Sequence, residues 1–224
     1  MKVSDKGLLE ICEHEGIVPA PYLDSVGVWT YGVGHTAAAG GLDPSTMPRG
    51  MPDNLDFALD HVIETFRQDV RKYEARVNAA IKVPLDQHEF DALVSFDFNT
   101  GGVHRANLTK AINARDPSAY RHFMGWLRPP EIRKRRTAEM RLFQSGDYDA
   151  NGSSIPVWNV DASGRLRGFL RAMDGADVLA RMIVPKPDTT AAPDMAPALA
   201  ALHKARAAIN EAEAAFIAAS GEPK

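Results

Sequence analysis

Glu15-Gly16-Ile17-Val18-Pro19-Ala20-Pro21-Tyr22-Leu23-Asp24-Ser25-Val26-Gly27-Val28-Trp29-Thr30-Tyr31-Gly32-Val33-Gly34-His35-Thr36 is the stretch on which the fold turns. Ahead of it, Ser4 is a favourable N-cap, and Leu8, Ile11, Cys12 and Glu15 recur on one helical face. Residues 1–16 therefore read as a short helix, which Gly16 ends. Glu15 stands on that face where a leucine would be expected. Beyond it the period changes. Tyr22, Val26, Val28, Trp29, Tyr31 and Val33 are strand formers, and Asp24-Ser25-Val26-Gly27 has the Asp-first, Gly-fourth preference of a type I turn. Gly32 and Gly34 argue against a helix. The segment predicts a small twisted β-hairpin or a three-stranded meander.

Downstream, Gly40, Gly41, Pro44, Pro48, Gly50 and Pro52 make residues 37–54 a loop. From 55 to 146 the pattern is helical. Leu55, Leu59, Val62, Ile63, Phe66 and Val70 form the stripe of a long helix. Asp86 and Glu89 form a capping box before a central helix through Phe98, stopped at Asn99-Thr100-Gly101-Gly102. Further helices are expected at 105–114, 117–127 and 131–145. Residues 155–160 and 166–170 flank Asp161-Ala162-Ser163-Gly164 as a hairpin, followed by a short helix over 174–183. Pro185, Pro187, Pro193 and Pro197 mark 184–197 as a semi-rigid linker. In the alanine-rich helix that follows, Leu202, Ile209 and Phe216 recur every seventh residue. That stripe requires a partner: the protein body, the wall, another copy or a particle.

The 224 residues, 45% hydrophobic and 25% charged, exclude disordered, collagen-like and disulfide-scaffold classes. The net charge of -3 supplies no global basic field for nucleic acid. A single cysteine, Cys12, cannot form an internal bridge. No run is long enough for a membrane span, and the charged N-terminal segment is no secretory signal. The chain is thus expected to be cytoplasmic as synthesised, without stable membrane insertion.

Two carboxylates beside a glycine-rich β-unit suggest general acid–base chemistry. Apolar neighbours and the negative end of the helix would favour a protonated Glu15, suited to a general acid. Asp24, in a solvated turn with backbone amides to accept from, would stay ionised. From spacing alone, a half-exposed helix-end glutamate and an ordinary turn aspartate is an equally serviceable description.

The residues also resemble a known family. Glu15 and the run Pro21 to Thr36 look like the signature of phage-type lysozymes, glycoside hydrolase family 24, most of all lambdoid endolysins; the Glu-x8-Asp-x5-Thr spacing is met without a gap. Two more blocks follow in order: Leu85 to Phe96 with Phe98-Asn99-Thr100-Gly101, and Arg135-Arg136-x-x-Glu139-x-x-Leu142-Phe143-x-x-Gly146. The likeness covers roughly residues 4–148. It implies an α+β, mainly α, lysozyme-like fold, with the cleft between the β-unit and a helical lobe. It implies hydrolysis of the β-1,4 bond between N-acetylmuramic acid and N-acetylglucosamine in peptidoglycan. Glu15 would protonate the leaving oxygen, Asp24 would stabilise the transition state and place a water, and Thr30 would offer its hydroxyl to that water. Neither metal nor cofactor is needed. The enzyme would reach the wall only after the membrane is permeabilised. The alternative is a non-catalytic wall-binding or phage-particle component.

On this reading, residues 1–148 are the catalytic domain, 149–183 an extension, 184–197 the linker and 198–224 the amphipathic helix and tail. Asn99 would either hydrogen-bond an N-acetyl group or stop its helix. His35 is expected to anchor the β-unit, and Trp29 to be core rather than a sugar platform. Arg133-Lys134-Arg135-Arg136 reads as a solvated face or one attracted to an anionic wall, with nucleic acid as the rival. Asp147 to Gly152 opens like a calcium loop, but its twelfth position is Trp158, so a capped turn is favoured. The 37–54 loop borders the cleft and would narrow substrate choice.

Overall fold

The computed structural model describes residues 1–149 and 154–183. The proposed linker and amphipathic C-terminal helix lie outside the described residues, as does part of the calcium-like loop.

Helix α1 (Asp5–Glu15) starts at Ser4, whose side chain accepts from the Gly7 amide, and ends at Gly16, whose amide closes on Cys12 O at 2.8 Å. The chain then forms β1 (Val18–Leu23), β2 (Trp29–Gly32) and β3 (His35–Thr36), an antiparallel meander in that spatial order. Tyr22 pairs with Thr30, Leu23 with Trp29, and Thr30 in turn with Thr36. The 37–54 loop contains two short 3-10 turns, Ala37–Ala39 and Pro44–Thr46.

The helical lobe begins with α2 (Leu55–Ala80), capped by Asn54. Leu59, Val62, Ile63, Phe66 and Val70 are buried along it, at the spacing read from the sequence. Helix α3 (Gln87–Thr100) carries the Asp86/Glu89 capping box and is buried from Phe90 to Asp97, so it is the central helix. Helix α4 (Asn107–Asn113) and helix α5 (Arg133–Ser145) complete the lobe. The segment expected to be helical over 117–127 is a 3-10 helix at Ala119–Gly125. Pro117 precedes it and Gly125 ends it, which leaves too little chain for α-helical propagation. Phe96 meets both Phe123 and Trp126 edge-on, at 5.5 and 5.3 Å between ring centroids.

Strands β4 (Ile155–Val160) and β5 (Leu166–Met173) form an antiparallel hairpin, followed by α6 (Gly175–Ile183). Ile155, Val157, Met173, Val178 and Met182 share one apolar cluster with Ile11, Phe66 and Phe90. Backbone bonds fasten the hairpin to the turn after α1: Ile17 N donates to Pro156 O and Trp158 N to Ile17 O, both at 2.8 Å. Arg67 of α2 donates to Met182 O at 2.7 Å. Among the described residues, no helix is long and apolar enough to cross a membrane.

Candidate active site

The end of α1 delivers Glu15 to the junction of the β-meander and the helical lobe. Its Oε1 accepts from Arg135 Nη1 at 2.5 Å. Gly34, in the turn between β2 and β3, lies on the other oxygen: a Cβ there would stand 3.7 Å from Glu15 Oε2 and 3.7 Å from the Phe98 ring. With φ of +74°, Gly34 takes a conformation that side-chain-bearing residues rarely adopt. The turn's backbone, not crowding, calls for glycine here, since a Cβ would only touch the carboxylate at ordinary contact distance. The apolar surroundings expected for Glu15 are not what it has. Cys12 is buried beside it, but the side chain is 22% exposed and its partner is a guanidinium.

Arg135 is the hinge of a buried polar chain. Its Nε donates to Glu139 Oε1 at 3.0 Å, and that oxygen also accepts from Ser95 Oγ at 2.9 Å. Arg136 donates to the other oxygen of Glu139 and to Oδ1 of Asn99, with its guanidinium 5.3 Å from the Phe96 ring. Burial pulls the Arg135 pKa down, but Glu15 and Glu139 more than offset this, and the net shift is upward. Arg136 is shifted down by burial, with Glu139 opposing and Arg135 adding to the shift. The reading of 133–136 as one solvated basic face is therefore corrected. Arg133 and Lys134 are exposed, whereas Arg135 and Arg136 are buried and committed to carboxylates.

Asp24 is built into its turn. Its Oδ1 accepts from the amides of Val26 and Val28 at 2.9 and 2.8 Å, and its own amide donates to Val28 O. Thr30 is buried, its hydroxyl donating to Val28 O at 3.1 Å. Tyr22 stands opposite Thr30 across the ladder and on the same face. Burial, then the charges of Glu15 and Asp24, push its hydroxyl up to about 12. Thr30 thus lies on the β2 strand, which begins after the Asp24 turn and runs to the Gly34 turn that faces Glu15. Asn99 joins from the far side through Arg136 and is itself exposed; Gly101, left-handed, is what stops the helix.

His35 anchors the β-unit: Nδ1 meets Asp69 of α2 at 2.7 Å and Nε2 meets Leu42 O at 2.8 Å. The Asp69 hydrogen bond raises its pKa against the pull of burial, helped by Leu42. Trp29 is half-buried rather than core, with the Arg49 guanidinium stacked 3.5 Å from its ring. Among the described residues, no group of three or more His, Cys, Asp or Glu side chains is placed to hold a metal ion.

Sequence reasoning gave no site role to Tyr22, Ser95 or Glu139, and took Arg135 and Arg136 only as part of a basic run and a family block. A signal existed for part of this. Arg135 and Glu139 fall on the same helical stripe as Ala138, Leu142 and Phe143, where charged residues are out of place unless paired.

The chain is similar to known proteins in sequence and in fold. The chain is 34% identical over 161 residues to an endolysin of Acyrthosiphon pisum secondary endosymbiont phage 1, covering 65% of this chain and 99% of that one. The solved endolysin from Escherichia coli O157:H7 phage FAHEc1 superposes with a TM-score of 0.55 at 30% identity, covering 66% of this chain and 96% of that one. A P22 lysozyme mutant superposes with a TM-score of 0.53 at 27% identity, covering 65% and 99%. The phage lysozyme family model matches residues 12–139, more than half of the chain, and the protein belongs to that family.

Proposed function

We propose that this endolysin cleaves the muramic acid–glucosamine bond with Glu15 as general acid and with Asp24 and Thr30 handling the water. As the proton leaves Glu15 for the glycosidic oxygen, the carboxylate that forms is met by Arg135 at 2.5 Å. Both amide bonds to Asp24 fall on Oδ1, so Oδ2 is the oxygen available to the oxocarbenium-like centre and to the attacking water. Thr30 reaches that water by releasing its bond to Val28 O, a short rotation about one side-chain torsion. Asn99, with Oδ1 held by Arg136, offers its amide NH2 to a substrate carbonyl such as an N-acetyl oxygen.

The observation that carries this reading is the seat of Glu15, held by Arg135 on one oxygen and facing, through Gly34, the β2–β3 turn of the meander that bears Thr30. Purified protein and its Glu15→Gln form, incubated with peptidoglycan, test it through new reducing ends. Loss of a general acid should slow release by roughly 10²–10⁴-fold. Equal release from both would remove Glu15 from the chemistry, and an anhydro-sugar product would replace hydrolysis with transglycosylation.

The partner is peptidoglycan. Nucleic acid is disfavoured because two of the four residues in the basic run are held inside the fold by Glu15 and Glu139. We place synthesis in the cytoplasm and action at the wall once the membrane is permeabilised. Leu202, Ile209 and Phe216 would supply the contact for self-association or particle docking.

A further inference from the structure

The family match ends at residue 139, so the β4–β5 hairpin lies beyond it. Among the described residues β5 pairs with β4 alone, and every residue from Leu166 to Ala172 is exposed. Leu166, Phe169 and Leu170 are 46%, 61% and 38% exposed, with Arg165, Arg167 and Arg171 interleaved. Trp158 stands across the ladder from Phe169, the rings 6.4 Å apart and nearly perpendicular. So many open apolar side chains on one strand call for a ligand.

The hairpin is joined to the site. Its turn accepts from Leu23 N at Gly164 O, 2.8 Å, one residue before Asp24. Gly164, with φ of +80°, lies so close to Trp29 that a Cβ would stand 2.5 Å from the indole, one residue before Thr30. Leu23, Val26 and Val28, all exposed, give the Asp24 turn an apolar surface of its own. Trp29, with Arg49 stacked on it, thus links the 37–54 loop to the hairpin turn behind the proposed catalytic turn.

We infer that the open side of β5, with Trp158 beneath Phe169, is an accessory docking surface for the peptidoglycan strand running out of the cleft. The inference rests on the cleavage reading above and names what holds the polymer beyond the scissile bond. Peptidoglycan offers sugar faces and N-acetyl methyls for Phe169 and Leu170, and a stem-peptide carboxylate for Arg165, since Arg167 and Arg171 already face Asp161 and Asp56. A second copy fits poorly: antiparallel pairing of β5 centred on Phe169 sets Arg167 against Arg171, like against like. An anionic lipid surface fits poorly too. Arg167 is paired with Asp161, and Asp56 and Asp60 are exposed beside Arg171 and Arg181. The Ser163 hydroxyl, the Arg165 amide and the Arg167 guanidinium hold Asp161 well below the usual carboxylate range, so the patch keeps fixed negative charge as well. Mixed charge with exposed aromatics suits a polymer carrying both carboxylates and amines.

The test compares the full chain with a Phe169→Ser, Leu170→Ser, Arg165→Glu variant on whole sacculi and on a short soluble glycan fragment that fills the cleft alone. On sacculi the variant's KM should rise about tenfold with kcat unchanged, the loss of one anchoring aromatic; cleavage of the fragment should match wild type. In the Glu15→Gln background the same changes should abolish co-sedimentation with sacculi. Unchanged KM on sacculi, or equal loss on both substrates, overturns the docking surface. So does a wild-type chain that binds phosphatidylglycerol vesicles, or is dimeric by light scattering, where the variant is not. A wild-type chain that cuts neither substrate defeats the cleavage reading instead, and the co-sedimentation arm still decides the surface.

Discussion

Arg135 donates to Glu15 at 2.5 Å, joining residues 120 positions apart in the chain and fastening α5, the last helix of the lobe, to the end of α1. The pair is not isolated, because Arg135 also donates to Glu139, which holds Arg136. Two guanidiniums and two carboxylates close a charge-balanced cluster in the interior. Removing Arg135 leaves Glu139 with Arg136 and the Ser95 hydroxyl, and takes from Glu15 the guanidinium that donates to it. Arg135→Ala should destabilise the fold by about 3–5 kcal/mol, the usual penalty for breaking a buried pair. Arg135→Lys keeps the charge but cannot serve Glu15, Glu139 and Ser95 O together, so it should recover stability more than activity. Chemical denaturation and reducing-end release, run on both variants, check this. Wild-type stability in Arg135→Ala would show that the cluster contributes nothing net.

Tyr22→Phe removes only the hydroxyl of the ring that faces Thr30 across the ladder. With its hydroxyl pushed up to about 12, Tyr22 remains a neutral donor over any working pH. The ring packs with Val18, Ala20 and Val160, and phenylalanine retains that packing. We expect kcat to fall roughly tenfold as a polar group facing the reacting charges is lost, with KM and the melting temperature little changed. A melting temperature lowered in step with kcat would mark the hydroxyl as structural.

How far the sequence reveals this site depends on the distance over which its parts lie. Glu15, Asp24 and Thr30 fall within sixteen residues, and a helix end, a turn and a strand place them with little help from elsewhere. The stripe of α2 and the capping box of α3 are equally local. Arg135 and Glu139 are legible only as a run of charge, because what converts it to a buried cluster is Glu15, contributed by the other end of the domain. Trp29 reads as core because a tryptophan on a strand usually is; its half-burial follows from Arg49 and the hairpin turn, which no local pattern ties to it. The 3-10 form of Ala119–Gly125 turns on a few backbone bonds that side-chain periodicity does not encode.

His35 and Asp69 make stability depend on pH. The folded state raises the His35 pKa above its ordinary value of 6.5. It therefore binds a proton more tightly than the unfolded chain does. The resulting stabilisation is complete below about pH 6.5 and is lost as pH rises through the folded-state value. Asp69→Asn should consequently lower the melting temperature more at pH 5.5 than at pH 9. Melting curves at the two pH values measure the gap, and a gap that widens toward pH 9 would refute the charged pair.

Ile155 tests whether the hairpin beyond the family match is an appendage or part of the core. It is fully buried in the cluster that holds Ile11 of α1 and Phe66 of α2, and Val157 and Met173 accompany it there. An appendage could lose this contact without consequence for the catalytic lobe. If the core is shared, Ile155→Ala leaves a cavity that α1 and α2 also line and costs about 2–5 kcal/mol. Because β4 is fastened at Ile17, two residues after Glu15, the loss should be transmitted to the end of α1. We expect one cooperative transition, displaced to lower temperature, with activity lost along the same curve. Two separate transitions, with activity following only the upper one, would make the hairpin an independent attachment.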